Sequence, residues 1–234
     1  MSATFHDDLA GAEPLDPGDA RALQRRMAGL VRADPVEPDR ISTVAGLDVS
    51  YAAGDTRLVA AAVVLSLPEL RVVDSATAVA EPRFPYVPGL FAFREVPPLL
   101  DAIGTLSVTP DVFVCDGFGV AHPRRFGLAS HLGVLLERRT LGVGKSPFVG
   151  YAEPPAAERG SWSPLVDDGA VVGRSLRTRS GVRPVYVSVR HRVDLGGASE
   201  LVLRLAPEYR LPEPIRHADR LSRDVLADRA PQRP

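Results

Sequence analysis

The sequence predicts an α/β fold in which α-helices flank a mixed central β-sheet. Three consecutive apolar stretches at 41–52, 58–67 and 71–80 have the length and composition of β-strands. After residue 80 the pattern changes to alternating helices and strands, which is typical of an α/β domain. The chain has 234 residues, of which 45% are hydrophobic and 24% are charged, so it can bury a core without disulfides.

The first half of the chain is predicted to form a helix followed by an antiparallel meander. Residues 19–32 carry apolar side chains at helical spacing, and Pro35 marks the end of that helix. Turns near Gly54 and Pro68 separate the three strands, and connections this short favour antiparallel pairing.

The second half is predicted to alternate between helices and strands, interrupted by a stretch rich in Pro, Gly and Ser. The predicted elements are a helix at 97–106, a strand at 111–116, a helix at 124–138, a strand at 141–143, a loop or insertion at 147–168, strands at 170–177 and 184–190, and helices at 197–206 and 213–228. Because no composition shift divides these elements, we expect a single domain over 17–234. Residues 1–16 before it are expected to form a flexible tail.

Cysteine content and hydropathy indicate a cytoplasmic protein. Cys115 is the only cysteine, which excludes an internal disulfide framework and fits a reducing compartment. Residues 1–17 lack the basic and apolar regions of a signal peptide, and we expect no membrane span because no apolar run reaches about 18 residues.

The charge balance restricts the possible partners. The net charge is −1, whereas a protein that coats DNA nonspecifically is usually strongly basic. An enzyme that acts on nucleic acid remains compatible, because its positive charge can be local and because acidic metal ligands subtract from the total charge. Of the 28 Lys and Arg residues only Lys145 is a lysine, and Asn is absent, which indicates a GC-rich genome. Lys145 therefore stands out as a lysine where arginine was the common choice.

Two aspartates occupy strand positions where this residue type is disfavoured. Asp48 lies inside the first predicted strand, and Asp116 ends the apolar strand at 111–116. If the two strands are neighbours, both carboxylates can bind one divalent cation. The alternatives are a satisfied polar residue for Asp48 and an Asp-Gly turn for Asp116. Glu95 precedes a predicted helix start, which by itself indicates no more than a favourable helix-terminal charge.

Three further segments have the composition of a nucleic-acid site. Pro85 and Pro88 stiffen the loop that carries Tyr86, so the ring can be presented to a base, although packing over the core is the alternative. Arg124 and Arg125, predicted in the first turn of a helix, suggest a phosphate partner because they oppose the helix dipole. The stretch Gly142-Val-Gly-Lys-Ser146 lacks the full phosphate-loop spacing, so we interpret Lys145 as a point charge beside a phosphate.

Six motifs resemble those of the endonuclease V family. They occur in order between residues 41 and 219 and are Gly46-Leu-Asp-Val-Ser-Tyr51, Pro85-Tyr-Val-Pro-Gly-Leu-Phe-Ala-Phe-Arg-Glu95, Asp116-Gly117, His122-Pro-Arg-Arg-Phe-Gly-Leu-Ala-Ser-His131, Gly142-Val-Gly-Lys-Ser146 and Tyr209-Arg-Leu-Pro-Glu-Pro-Ile-Arg-His-Ala-Asp219. The resemblance implies an RNase H-like fold and cleavage of a nucleic-acid strand that depends on Mg²⁺, for which Mn²⁺ can substitute. The implied cut is at the second phosphodiester 3′ to a hypoxanthine nucleotide and leaves 3′-hydroxyl and 5′-phosphate ends.

The resemblance also implies roles for individual residues. The catalytic positions are Asp48, Glu95, Asp116, Lys145 and Asp219, of which Asp48, Glu95 and Asp116 match the metal-binding carboxylates. The strand-separating wedge matches Pro85, Tyr86, Val87 and Pro88, and the pocket for the flipped base matches Gly117, His122, Gly127 and Leu128. The family carries Asp or His at the position that matches Asp219, so Asp219 is chosen over His217. Backbone N–H groups near Gly117 or Gly127 are expected to recognise the C6 carbonyl of hypoxanthine.

The expected partner is DNA containing deoxyinosine, with inosine-containing RNA as a second candidate, and we expect a monomer. Two other interpretations remain open at this stage. One is an RNase H-like nuclease of different specificity, for inosine RNA or junction DNA. The other is a nucleic-acid-binding module without catalysis.

Overall fold

Five α-helices and eight β-strands make up the part of the chain that the computed structural model describes, residues 16–189 and 191–228. The helices are α1 (Pro17–Ala28), α2 (Ala92–Gly104), α3 (Leu128–Leu136), α4 (Leu195–Leu205) and α5 (Glu213–Leu226). The strands are β1 (Thr43–Tyr51), β2 (Leu58–Ser66), β3 (Arg71–Ala80), β4 (Val112–Asp116), β5 (Arg139–Gly144), β6 (Trp162–Asp167), β7 (Ala170–Leu176) and β8 (Val185–Val189).

All eight strands belong to one mixed sheet with the order β3-β2-β1-β4-β5-β8-β7-β6. The first three strands form the predicted antiparallel meander. Strands β1, β4 and β5 are parallel, and the remaining pairs are antiparallel. The predicted α/β fold with a mixed central sheet is therefore confirmed.

Helices cover both faces of the sheet because side chains alternate along each strand. On one face, Val44 and Val114 pack with residues of α4, including Leu201. On the other face, Leu47 and Phe113 pack with residues of α2 and α3. The sheet core therefore lies between α2–α3 and α4–α5.

Helix α5 approaches strand β1 unusually closely, and Gly46 allows this contact. A Cβ atom at Gly46 would lie 2.0 Å from the backbone oxygen of Pro214 in the first turn of α5. Asp48 follows two residues after Gly46 on β1, and Asp219 lies further along α5. The glycine thus sets the separation between two elements that carry candidate site residues.

Two predicted helix starts were wrong, and both errors concern the site. Helix α2 begins at Ala92 instead of residue 97, so Glu95 lies in its first turn and Pro97 is internal. The turn bonds begin earlier than the prolines because Phe93 N–H donates to Leu90 O. Helix α3 begins at Leu128 instead of residue 124, after an extended Gly127.

The stretch predicted as a loop at 147–168 contains one strand. Residues 162–167 form the edge strand β6, where Pro164 is tolerated because an edge strand leaves some N–H groups unused. The tail predicted at 1–16 lies outside the described residues except for Asp16, whose side chain caps α1. The single domain over 17–234 stays a prediction. None of the described helices is long and apolar enough to cross a membrane.

Candidate active site

Asp48 and Asp116 lie side by side at the end of the parallel pair β1 and β4. Leu47 pairs with Cys115 in the register, and each aspartate follows one of these residues. The two carboxylates line an open cleft of about 410 Å³, called here the acidic cleft. It is lined by Asp48, Val49, Ser50, Tyr51, Asp116, Lys145, Asp219, Arg223 and Leu226. The expectation that β1 and β4 are neighbours is therefore confirmed.

Hydrogen bonds from neighbouring elements orient two of the site carboxylates. The Ser222 hydroxyl on α5 lies 2.8 Å from Asp48 Oδ2, to which it donates, and 2.8 Å from Ser50 Oγ. On the other side, the Tyr51 hydroxyl donates to Glu95 Oε1 at 3.2 Å. Strand β1 is thus joined to α5 through Asp48 and to α2 through Glu95.

The carboxylates destabilise one another's charge. Burial, together with the charges of Asp116 and Asp219, raises the pKa of Asp48 to about 6, although the Ser222 hydrogen bond opposes the rise. Burial and the charges of Asp48 and Asp116 raise the pKa of Glu95 to about 8. Both carboxyl groups therefore hold a proton more readily than exposed ones do, mainly because they are buried.

Lys145 supplies a compensating positive charge at the end of β5. Its Nζ atom lies 2.5 Å from Asp116 Oδ2. Burial alone would lower the pKa of Lys145, but the hydrogen bond and charge of Asp116 raise it. Lys145 therefore stays protonated beside the carboxylates, as expected for a charge that acts on phosphate.

The carboxylates at the site suit a divalent cation, although they do not form a complete set of metal ligands as they stand. Among the described residues, no three His, Cys, Asp or Glu side chains are close enough to hold a metal ion as they stand. Asp48, Glu95 and Asp116 nevertheless offer hard carboxylate oxygens, which Mg²⁺ prefers. A cation would also relieve the repulsion that raises the pKa of Glu95.

Asp116 also borders a second, more enclosed cavity of about 210 Å³, called here the apolar cavity. Its lining is Gln24, Gly89, Phe91, Ala92, Glu95, Asp116, Gly117, Phe118, His122, Gly127, Leu128 and Phe148. All four residues predicted for the base pocket, Gly117, His122, Gly127 and Leu128, are in this list. Three aromatic rings and a leucine make the wall suitable for a planar base.

His122 is fixed as a neutral ring in the wall of the apolar cavity. Its Nδ1 accepts a hydrogen bond from Arg124 N at 3.2 Å, so Nε2 carries the proton and donates to Gly89 O at 2.9 Å. Burial lowers its pKa to about 4, and the charge of Arg124 adds to this effect. Both ring nitrogens are occupied, so His122 contributes shape more than a free hydrogen bond.

Two expectations about this region change in detail. Gly117 N–H donates to Val143 O at 3.3 Å and Gly127 N–H donates to Gly119 O at 2.9 Å, so a donor near these glycines that recognises the base is neither of these two groups. Arg124 and Arg125 precede α3 instead of forming its first turn, and each has a protein partner, so a phosphate partner for them stays a prediction. Arg124 bonds to Gln24 Oε1 at 2.5 Å, and Arg125 pairs with Asp167 at 2.5 Å.

The loop predicted as a wedge stands at the rim of the apolar cavity. Tyr86 is 69% exposed, and its ring centroid lies 4.8 Å from that of Phe91 in the cavity wall. Arg94 holds the base of the loop by donating to Phe84 O at 2.9 Å. The four residues 85–88 therefore project a ring next to the cavity, and packing over the core is excluded for Tyr86.

Asp219, and not His217, faces the acidic cleft. Asp219 lines the cleft, and its Oδ1 forms an ion pair with Arg223 Nη2 at 2.8 Å. His217 is absent from the lining and lies 3.9 Å from Glu213 on its own helix. Residues two apart on a helix face different directions, as the spacing predicted. Among the other histidines, His131 and His191 are buried, and His6 lies outside the described residues.

Sequence analysis missed three residues that matter to the site. Gln24 and Phe148 line the apolar cavity, and Ser222 orients Asp48. Gln24 carried a signal, because a polar side chain at a core-facing helical position is unusual. Phe148 and Ser222 carried none, since their positions depend on how distant segments meet.

The order of the strands and the carboxylates at their ends define an RNase H-like nuclease. A family model described as Endonuclease V matches residues 25–220. The chain therefore belongs to the endonuclease V family, whose members are nuclease enzymes.

Several relatives agree with this assignment. The chain is 53% identical over 216 residues to Endonuclease V of Streptomyces avermitilis, which covers 92% of this chain and 94% of that protein. A crystal structure of Endonuclease V from the same species superposes with a TM-score of 0.90 and 52% identity, covering 93% and 96% of the two chains. Endonuclease V of Ciona intestinalis, in complex with a 24mer DNA containing an inosine followed by a ribo-adenosine, has a TM-score of 0.78 and 27% identity over 90% and 98%.

Proposed function

We propose that this protein is a metal-dependent endonuclease that recognises deoxyinosine in DNA. It nicks the strand at the second phosphodiester 3′ to the lesion and leaves 3′-hydroxyl and 5′-phosphate ends. One observation carries the proposal: Asp116 borders both the apolar cavity and the acidic cleft. A base held in the cavity therefore places the backbone of the same strand near the carboxylates. The Ciona relative bound to inosine-containing DNA supports the substrate, and the cut position rests on the family resemblance.

The carboxylates of Asp48, Glu95 and Asp116 are the proposed ligands for Mg²⁺, with Mn²⁺ as a substitute. When bound, the metal supplies an activated water and charge stabilisation for the leaving oxygen. Ser222 and Tyr51 hold Asp48 and Glu95 in place through their hydrogen bonds. The proposed role of Asp219 at the cleft wall is catalytic support.

Lys145 contributes electrostatic stabilisation in this proposal. Its ammonium lies against Asp116 and close to the position that the scissile phosphate takes. A protonated amine that is already in place reduces the cost of the negative charge that develops on the phosphate. The strength of the effect depends on Lys145 being a compact charge, because a guanidinium is larger and planar.

Recognition of the base involves extrusion into the apolar cavity. Tyr86 fills the space that the base leaves, since its ring is exposed at the cavity rim. Gly117 and Gly127 form walls without supplying donors, because their N–H groups are already bonded. We infer that the Leu128 N–H, at the start of α3, donates to the hypoxanthine carbonyl.

In the cell, the proposed role is repair of deaminated adenine in the cytoplasm by a monomer. The single cysteine fits a reducing compartment. Inosine-containing RNA is the second candidate substrate, because it carries the same hypoxanthine base.

The experiment compares four end-labelled substrates with Mg²⁺: deoxyinosine duplex DNA, inosine RNA, undamaged duplex and a four-way junction. We expect cleavage of the deoxyinosine strand at one position, two phosphodiesters to the 3′ side. Equal cutting of the undamaged duplex would contradict inosine recognition. Preferred cutting of inosine RNA or of the junction would replace DNA repair by the corresponding alternative.

A further inference from the structure

Gln24 is a fully buried side-chain amide that belongs to no catalytic motif. It lies on α1 between the buried residues Leu23 and Met27, at a position where an apolar side chain is expected. Its Nε2 donates to Gly89 O at 3.0 Å and to Phe126 O at 3.1 Å. Every polar group of the amide has a partner, because Oε1 accepts from Arg124 Nε at 2.5 Å.

The three partners of Gln24 belong to the two segments that enclose the apolar cavity. Gly89 ends the loop that carries Tyr86, whereas Phe126 and Arg124 belong to the segment before α3. Gln24 itself lines the cavity. The amide is therefore a direct polar bridge between the loop with the exposed aromatic ring and the cavity wall.

Donors from three residues converge on the carbonyl oxygen of Gly89. Besides Gln24, Arg124 Nη2 donates at 2.8 Å and His122 Nε2 donates at 2.9 Å. Gly89 adopts φ +79°, which favours glycine, and a Cβ there would lie 2.7 Å from Arg124 Nη2 and displace that donor. A fully satisfied buried network of this kind fixes the geometry of the segments it joins.

We propose that Gln24 is a positioning residue that couples insertion of Tyr86 to capture of the base. The inference rests on the proposed function and deepens it. Gln24 fixes the distance between the Tyr86 loop and the apolar cavity, so that opening of the duplex and occupation of the cavity occur together. A duplex substrate requires this coupling, whereas a single strand already presents an unpaired base.

The test uses Gln24→Glu and Gln24→Met with deoxyinosine in duplex and in single-stranded DNA of the same sequence. Glu keeps an acceptor for Arg124 but loses both donors, and Met has similar length without polar atoms. Single-turnover rates with Mg²⁺ are measured beside the fluorescence of 2-aminopurine next to the lesion. We expect the duplex rate to fall about tenfold or more, with a loss of the fluorescence rise, and the single-strand rate to fall less than about threefold.

Controls separate positioning from folding. Arg26→Ala changes an exposed residue on the same helix and is expected to leave both rates unchanged. Arg124→Lys keeps the charge but loses the guanidinium geometry, so it is expected to reproduce the duplex-selective loss if Gln24→Met does not fold. Equal loss on both substrates, or no loss on either, would overturn the proposal. A wild-type protein that cuts neither substrate contradicts the proposed function and, with it, this inference.

Discussion

Lys145 Nζ lies 2.5 Å from Asp116 Oδ2, so the single lysine of the chain is ion-paired with the carboxylate that borders both cavities. In the proposed function, a compact ammonium at this position acts on the scissile phosphate, which accounts for a lysine where the sequence otherwise uses arginine. The hydrogen bond and charge of Asp116 raise the pKa of Lys145, so its side chain is protonated at neutral pH.

Replacement of Lys145 is expected to affect the chemical step more than binding. Lys145→Ala should lower the cleavage rate roughly a hundredfold, the scale for removal of one preorganised donor. DNA affinity measured in Ca²⁺ should weaken by no more than about tenfold, because a single phosphate contact is lost. Lys145→Arg should not restore the full rate. Full activity of Lys145→Ala would exclude the proposed role.

Removal of the Ser222 hydroxyl is expected to weaken metal binding through Asp48. A hydrogen bond to a charged group contributes roughly 1.5–3 kcal/mol, so Ser222→Ala should raise the Mg²⁺ concentration at half-maximal cleavage about tenfold. Ser199→Ala is the matched control, because its hydroxyl bonds to Leu195 O within α4, away from the cleft. An unchanged Mg²⁺ dependence in Ser222→Ala would show that Asp48 is held by other contacts.

Gly46→Ala is expected to displace α5 from β1. The new Cβ would lie 2.0 Å from Pro214 O, which is backbone and must move. Overpacking of this kind costs about 1–3 kcal/mol, and the movement carries Asp219 away from the cleft. Chemical denaturation and cleavage rates should both show the defect. Gly104→Ala serves as control, since a Cβ there meets nothing within 4 Å, so the change should lower neither the stability nor the cleavage rate.

Buried His131 predicts a component of acid instability. Burial among Phe93 and Phe126 lowers its pKa to about 4 from an ordinary 6.5. The unfolded chain then binds a proton that the folded chain does not, so stability is lost as the pH falls from 6.5 towards 4. By pH 4.5 the loss reaches roughly 2–3 kcal/mol. Urea unfolding at pH 7 and pH 4.5 should show a smaller difference for His131→Leu than for wild type, and equal differences would contradict this.

Seven of the eight described strands were predictable from the sequence because their patterns are local, whereas β6 lies in the stretch that was predicted as a loop. The bounds of β3 were predicted at both ends, since Arg71 follows a turn and the apolar run stops at Ala80. The start of α2 was not, because Pro97 resembles a first-turn proline while the helix actually forms around the buried Phe93.

For the site too, residues marked by a local pattern were predictable, and contacts between distant segments were not. Asp48 and Asp116 were predictable as candidates because aspartate is unusual in apolar strands, whereas their closeness depends on the pairing of β1 with β4 in the fold. The contacts of Gln24 join residues that are 65 and 102 positions apart in the chain, so its role was not predicted from the sequence. The occupied N–H groups of Gly117 and Gly127 likewise depend on segments that meet only in the fold.

The most direct test of the central claim is the rate at which Asp48→Asn cleaves a deoxyinosine duplex in Mg²⁺, relative to wild type. The substitution keeps the shape of Asp48 and removes the charge that the proposed metal requires. We expect cleavage to be lost while binding of the same duplex in the absence of Mg²⁺ is retained. Cleavage by Asp48→Asn at the wild-type rate would contradict the assignment of the acidic cleft as the catalytic site.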